Sequence, residues 1–111
     1  MTGKFDLKKS SDGQFFFNLK AGNGQIILTS ERYKEKRSAE GGIESVRKNS
    51  SNADRYERKT SSKGDPYFIL KASNGQTLGQ SESYSSAASL EKGIESVKKN
   101  AAGANVADLT G

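Results

Sequence analysis

The sequence contains no cysteine and no histidine. Without cysteine the chain can form no disulfide, and it has no thiolate to bind a metal ion or to act as a nucleophile. Without histidine it lacks the commonest metal ligand and the usual general base near neutral pH. We therefore expect no catalytic residue, no metal site and no cofactor site, and we predict that the protein is not an enzyme.

Long apolar runs are also missing. The segment from Met1 to Leu7 has no apolar core of the kind found in secretory signals, and no run reaches transmembrane length. Hydrophobic residues make up 32% of the chain, yet they cluster at strand and helix spacings, which a disordered chain would not show. The sequence therefore predicts a folded, soluble, cytoplasmic protein that does not enter a membrane.

Charge is plentiful but weakly concentrated. The net charge is +5 and the isoelectric point is about 9.5, and the densest basic run extends only from Arg32 to Arg37. A modest basic excess is compatible with nucleic-acid binding, but a surface that follows phosphates usually carries a denser basic patch. We favour a solvated basic surface and keep nucleic-acid binding as the alternative.

The sequence contains an internal duplication. Residues 5–55 superimpose on residues 56–106 without a gap, and 24 of these 51 positions are identical. A unit of this size buries too little apolar surface to be stable alone, so we expect both copies to share one core. We assign residues 1–111 to a single two-repeat domain, with repeat one at 4–55 and repeat two at 56–108. The motifs that occur twice are Asn23-Gly24-Gln25 with Asn74-Gly75-Gln76, Ser30-Glu31 with Ser81-Glu82, Tyr33 with Tyr84, and Gly42–Val46 with Gly93–Val97.

Each copy predicts the element order strand, strand, strand, helix, strand. Alternating apolar and polar residues indicate the strands, and apolar residues at i, i+4 and i+7 indicate a helix with one narrow buried stripe. Asn23-Gly24 indicates a two-residue hairpin of type I′, which needs positive φ at both central positions. In copy one we predict strands at 4–8, 15–21 and 25–30, a helix from about 34–38 to Asn49, and extended pieces at 53–60 between the copies and 105–109 at the end.

These elements predict an α+β fold. Two three-stranded sheets can pair edge to edge into one antiparallel sheet, with both helices on the same face. Little chain separates the closing strand of copy one from the opening strand of copy two, so the two can be one continuous strand. Because the duplication supplies its own pairing unit, we expect a monomer.

The sheet face away from the helices is the candidate partner surface. Phe15, Phe17 and Leu19 of the second strand form the natural core side, which leaves alternate residues on the opposite side. With a two-residue turn, Lys20 lies opposite Ile27 and Lys71 opposite Leu78. An apolar face left open often marks a binding site. The alternatives are that a loop, a terminus or an exchanged strand covers it, or that the register is off by one. The candidate residues are Phe16, Lys20, Ile27, Tyr67, Ile69, Lys71 and Leu78.

Two other repeated features have structural explanations as well as functional ones. Gly42 and Gly93 lie inside predicted helices, where glycine costs about 1 kcal/mol relative to alanine, so we expect close approach of the helix to the sheet rather than a ligand contact. Tyr33 and Tyr84 precede the helices, where we favour packing against the core over a role in recognition.

The combined motifs resemble the YegP-like family of small bacterial tandem-repeat proteins of unknown function. The resemblance covers residues 4–108 and rests on Ala-X-Asn-Gly-Gln, Ser-Glu-X-Tyr and Gly-Ile-X-Ser-Val-X-X-Asn, each present twice. It implies that the two units form one sheet and exchange their closing strands, and it supplies no catalytic residues. Copy two departs from copy one by Pro66 in place of Phe15 and Gly79 in place of Leu28, so we expect its second and third strands to be irregular or at an edge.

These observations favour a small non-enzymatic binding or interaction module, whose partner the sequence leaves open between a protein and weakly bound nucleic acid. The alternative is single-stranded nucleic-acid binding through the open sheet face, where aromatic residues beside lysines can stack bases and neutralise phosphates.

Overall fold

The computed structural model describes residues 3–110. Within that range the chain forms seven strands and two helices in the order that the duplication predicts. In chain order the elements are β1 (Lys4–Lys9), β2 (Phe15–Lys20), β3 (Ile26–Ser30), α1 (Lys36–Asn49), a 3₁₀ turn (Ala53–Arg55), β4 (Tyr56–Thr60), β5 (Pro66–Lys71), β6 (Thr77–Gln80), α2 (Ala87–Ala101) and β7 (Asn105–Asp108).

The two copies form one sheet with the strand order β4-β5-β6-β3-β2-β1-β7. The copies meet where β3 and β6 run antiparallel, and there Thr29 lies opposite Gln80. These two residues are 51 positions apart and so occupy the same place in their copies. An approximate two-fold axis therefore passes between them, and the predicted α+β fold from a duplicated unit is confirmed.

The sheet is mixed, whereas the sequence predicts an entirely antiparallel one. β7 of copy two runs parallel to β1 of copy one, with Lys4 opposite Asn105 and Leu7 opposite Asp108. The exchange implied by the family resemblance is therefore present on one side only. In copy one the corresponding residues, 54–57, complete the 3₁₀ turn and begin β4, so no separate closing strand remains to pair with β4.

Helix α1 holds β7 in place. Arg47 of α1 donates a 2.5 Å hydrogen bond to the carbonyl of Ala104, just before β7, and Lys36 forms an ion pair with Asp108 at the other end of the strand. Val106 lies beside Ile43 of α1 in an open apolar pocket. Repeat one is therefore completed by a strand that belongs to repeat two.

β4 forms the opposite edge of the sheet, and its outer side has no partner strand among residues 3–110. Its Arg58 occupies the position that the buried Leu7 has in β1, and it forms an ion pair with Glu91 of α2. A charged residue that points toward the covered side of an edge strand opposes pairing with another chain.

Both helices pack on one face of the sheet. The predicted stripes, Ile43 and Val46 in α1 with Ile94 and Val97 in α2, belong to one buried cluster together with the inward residues of the strands. Alternation along each strand directs every second side chain into this cluster. Its members are Phe5, Leu7, Phe17, Leu19, Ile27, Leu28, Ala39, Ile43, Val46, Tyr56, Phe68, Leu70, Leu78, Leu90, Ile94, Val97, Ala101 and Ala104.

The β2–β3 turn differs from the predicted type I′ turn. Among the described residues only glycines have positive φ. Gly24 has a φ of 86°, whereas the φ of Asn23 is not positive. The Gly24 amide bonds the Ala21 carbonyl and the Ala21 amide bonds the Gln25 carbonyl, both at 2.9 Å. This is a three-residue loop, in which a single glycine takes the left-handed conformation next to a bulge.

The bulge changes the predicted register at one position in each copy. Asn18 pairs with Thr29 and Leu19 with Leu28, as a two-residue turn would give, but Lys20 then pairs with Ile26. Ile27 is the extra residue. In copy two the same shift places Thr77 opposite Lys71 and makes Leu78 the extra residue.

The expectation that the second and third strands of copy two lie at an edge is wrong, because β5 and β6 are internal strands, and the one irregularity between them is shared with copy one. Pro66 is the first residue of β5, where its missing N–H removes no internal ladder bond. Gly79 lies at the centre of the sheet, and a Cβ there would approach the Thr29 carbonyl to 2.8 Å and Leu28 Cγ to 3.0 Å. Leu28 and Gly79 are equivalent residues that lie close together beside the two-fold axis, and only one of the two positions has room for a side chain.

Candidate interaction surface

The candidate surface is the sheet face that points away from both helices, called here the open face. It carries a repeated pair of an aromatic residue and a lysine. Lys8 lies opposite Phe16 in copy one, and Lys59 lies opposite Tyr67 in copy two. Both aromatic side chains are half-buried. Arg32 also covers Phe16, with its guanidinium 4.5 Å from the ring centroid, which is within cation–π range.

The two candidate lysines of the open face are ion-paired in the same way in both copies. Lys20 Nζ lies 2.8 Å from Asp6, and Lys71 Nζ lies 2.5 Å from Glu57. Hydrogen bonding to Lys71 lowers the pKa of Glu57. Retention of both lysines is therefore explained by an internal ion pair, which leaves less positive charge for a ligand.

Asp6 is almost fully buried, with 1% of its surface exposed. Burial alone would raise its pKa, but hydrogen bonds and charge interactions with Lys20 and Lys4 together hold that pKa below its ordinary value. The carboxylate is therefore ionised in the folded protein at neutral pH.

The middle of the open face is polar. The row that crosses the two-fold axis contains Asn18, Thr29, Gln80 and Ile69 in adjacent strands. Asn18 accepts a 3.0 Å hydrogen bond from the Thr29 hydroxyl. The apolar residues of the face are therefore separated into two groups, one in each copy, rather than forming one continuous patch.

Five of the seven candidate residues lie on the open face, and two do not. Ile27 and Leu78 are 6% and 5% exposed and belong to the hydrophobic core. The bulge turns both side chains inward. The alternative that the register is off by one is therefore correct at this one position in each copy. Ile26 and Thr77 lie opposite Lys20 and Lys71, at the places predicted for Ile27 and Leu78. The residues retained on the open face are Phe16, Lys20, Tyr67, Ile69 and Lys71.

Sequence reasoning missed Lys8 and Lys59 as members of the surface. Their signal was present, because both precede a serine-rich turn at the same place in the repeat and lysine is retained in both copies. Cross-strand pairing places each of them directly opposite an aromatic residue.

The two aromatic groups are well separated. Phe16 and Tyr67 lie three strand spacings apart and are displaced from the axis in opposite directions, by two residues each. With about 4.8 Å between strands and about 3.3 Å per residue, the separation is roughly 20 Å. The open face therefore offers two similar contact points and cannot enclose one small ring between its aromatics.

The repeated serines, Ser30 and Ser81, fix the end of the third strand in each copy. The hydroxyls of Ser30 and Ser81 are buried and accept hydrogen bonds from the amides of Phe17 and Phe68, at 2.8 and 3.0 Å. This function in the fold accounts for the retention of both serines.

The retained glycines make room for tyrosine. A Cβ on Gly42 would lie 2.6 Å from the Tyr33 hydroxyl, and one on Gly93 would lie 2.1 Å from the Tyr84 hydroxyl. The helices are therefore closely approached at these glycines, as predicted, but the nearest neighbour is a tyrosine that precedes the helix rather than the sheet.

The fold is a two-repeat α+β sheet in which one copy completes the other, and comparisons identify its family. A family model described as a domain of unknown function (DUF1508) matches residues 10–57 and again residues 61–108. The chain belongs to this family, and the resemblance to the YegP-like proteins is confirmed.

Relatives and solved structures agree over the whole chain. UPF0339 protein ACIAD0721 of Acinetobacter baylyi is 57% identical over 111 residues, which is 100% of both chains. UPF0339 protein YegP of Escherichia coli is 57% identical over 99% of this chain and 100% of its own. The solution NMR structure of E. coli yegP, described as a protein of unknown function, gives a TM-score of 0.94 at 58% identity and covers 100% and 96% of the two chains. That of Shewanella oneidensis UPF0339 protein SO3888 gives 0.93 at 49% identity, with 99% and 93% coverage.

None of these descriptions assigns a function. Within residues 3–110, neither helix has the length and apolar character needed to cross a bilayer.

Proposed function

We propose that the protein is a non-enzymatic interaction module that binds a protein partner through the open face. The observation that supports this is the repeated pairing of Phe16 with Lys8 and of Tyr67 with Lys59 on a sheet face that neither helix covers. Aromatic residues are effective anchors at protein interfaces because they bury a large area at low entropic cost. Two equivalent anchors about 20 Å apart suit an extended protein surface.

A protein partner is favoured over nucleic acid because much of the charge is already neutralised. Lys20 and Lys71 bind Asp6 and Glu57, and the middle of the face is polar and uncharged around Thr29 and Gln80. A nucleic-acid surface gains its affinity from lysines and arginines that are free to contact phosphates.

Affinity capture from native cell extract tests the proposal. The Phe16→Ser/Tyr67→Ser variant should lose a protein that the unmodified chain captures, because both anchors are removed. Val106→Ser is the control, since Val106 is an exposed apolar residue on the helix side of the sheet, opposite Phe5 and beside Ile43. If all three proteins capture the same partner, the open face is not the binding surface.

Titration of labelled protein with mixed single-stranded oligonucleotides at low salt tests the alternative. Saturable NMR shifts at Phe16, Tyr67, Lys20 and Lys71 would support nucleic-acid binding, and their absence would exclude it. The proposal includes a monomeric state, which sedimentation velocity can check. The cytoplasmic location expected from the sequence stays a prediction.

A further inference from the structure

A groove lies between the β2–β3 turn and helix α2, away from the open face. Two adjoining cavities of about 530 and 190 Å³ form it, and they share Asn23, Lys92 and Ser96 as lining residues. The groove extends from Tyr84 near the start of α2 to Lys99 near its end. It therefore lies where repeat two covers the hairpin of repeat one.

Hydrogen-bond donors dominate this groove. The Asn23 side-chain oxygen accepts a 3.0 Å bond from the Gln25 amide, which leaves the Asn23 amide group free to donate. Tyr84, Ser89 and Ser96 add hydroxyl groups to the lining.

Lys92 and Lys99 supply the positive charge. Among the described residues the ion pairs of α2 are Lys98 with Glu95 at 3.3 Å and Arg58 with Glu91, and neither involves Lys92 or Lys99. Seven residues make almost two helical turns, so these two lysines lie on the same side of α2 and about 10 Å apart along its axis.

Glu95 is the carboxylate in the lining and would oppose an anion. Its ion pair with Lys98 offsets that charge. The lining therefore contains two cations and four uncharged hydrogen-bond donors, and its one carboxylate is already ion-paired.

Repeat one contains nearly the same groups without one of the cations. The counterparts of Tyr84, Ser89, Ser96, Lys99 and Asn23 are identical residues 51 positions away. The counterpart of Lys92 is Gly41, which is exposed. The chain therefore carries a duplicated donor framework, and repeat two adds a positive charge to it.

We propose that the α2 groove binds a small ligand with two anionic groups, one near each of Lys92 and Lys99. Ser96, which lies between the two lysines along α2, and Asn23 contact the body of the ligand, and Tyr84 and Ser89 line the groove on the other side of Lys92. Phosphate and carboxylate share the chemistry that this site recognises, because both accept charge-assisted hydrogen bonds. The duplication gives one such site per chain, since Gly41 removes the cation from the equivalent place in repeat one.

NMR titration of the full chain with pyrophosphate, glutarate and inorganic phosphate tests this inference. We expect one saturable site with shifts at Asn23, Ser96, Lys92 and Lys99, and weaker binding of inorganic phosphate, which carries one anionic centre. Preference for pyrophosphate or for glutarate distinguishes a phosphorylated ligand from a dicarboxylate.

Matched variants decide whether the groove is responsible. Lys92→Gln should weaken binding about tenfold or more, because it removes a charge-assisted contact. Lys63→Gln removes the same charge from an exposed turn and should leave binding unchanged. Gly41→Lys should create a second site, since a Cβ at Gly41 meets no atom within 4 Å.

Equal weakening by Lys92→Gln and Lys63→Gln would show a general charge effect and overturn the inference, as would shifts that never saturate. Retained fold in each variant is checked by its amide spectrum. The Phe16→Ser/Tyr67→Ser variant should bind pyrophosphate normally, so failure of the groove and failure of the open-face proposal are distinguishable.

Discussion

Alanine substitution at two helical glycines, Gly41 of α1 and Gly93 of α2, should change stability in opposite directions. Gly41 is exposed, and a Cβ there meets no atom within 4 Å. Gly93 is buried, and a Cβ there would lie 2.1 Å from the Tyr84 hydroxyl oxygen and 2.5 Å from Cζ. Tyr84 is stacked on Phe68 with 6.3 Å between ring centroids, so the tyrosine ring cannot move aside without disturbing the core.

The magnitudes follow from two opposing effects. Replacing a helical glycine by alanine stabilises a helix by about 1 kcal/mol, and this is the whole effect expected for Gly41→Ala. At Gly93 the same gain is opposed by overpacking, which typically costs about 1–3 kcal/mol. Because the neighbour is a rigid ring, we expect a net loss of about 2 kcal/mol. Gly42→Ala should be less severe, since its closest approach is 2.6 Å.

Thermal and urea unfolding measure these differences. For a domain of about 100 residues, 1 kcal/mol corresponds to about 4–8 °C in Tm. Gly41→Ala should therefore raise Tm by about 4–8 °C, and Gly93→Ala should lower it by about 8–16 °C. In a Tyr84→Ala background the Gly93→Ala change should become stabilising. Equal effects at Gly41 and Gly93, or no dependence on Tyr84, would refute the close-contact explanation.

Three further substitutions test other features of the fold. Arg58→Leu gives β4 the residue that β1 has at Leu7 and removes the inward charge, so we expect concentration-dependent association in sedimentation velocity, and a strict monomer would contradict this. Asp6 has a lowered pKa in the folded state, so its ionisation contributes stability that is lost as pH falls below about 4; Asp6→Asn should reduce the acid-dependent part of urea stability, and an unchanged pH profile would exclude this contribution. Gly79→Ala should cost about 1–3 kcal/mol in urea unfolding because its Cβ meets the Thr29 carbonyl, whereas a neutral result would mean that the two-fold contact can relax.

The sequence allowed prediction of both α-helices and of all seven strands because their signals are local, whereas residues 53–55, predicted as extended, form a 3₁₀ turn. The helix of copy one begins at Lys36 and ends at Asn49, inside the predicted limits, and the Asn-Gly dipeptide correctly indicated a hairpin. The dipeptide did not distinguish a two-residue turn from a three-residue loop with a bulge. Both need a glycine with positive φ, but the three-residue loop also includes Gly22 and leaves Asn23 without positive φ.

This difference in the loop and its bulge had the largest effect on the candidate surface. Because side chains alternate along a strand, a single extra residue redirects its neighbour to the other face. Ile27 and Leu78 therefore moved from the open face into the core, while Phe16 and Tyr67, farther from the turn, kept their predicted side. Local signals also could not predict the direction of β7, because β7 pairs with a strand from the other copy.

The pairing of β7 with β1 has a consequence for synthesis of the chain. Lys4 leaves the ribosome about a hundred residues before Asn105, its partner across the ladder. Translation at about 5–20 residues per second leaves the outer side of β1 without that partner for at least about 5 s. During this time the first copy presents an apolar, unblocked edge, because its Leu7 occupies the place where the second copy has Arg58. The nascent repeat one is therefore the stage at which the protein is most exposed to mispairing, and completion of repeat two ends that exposure.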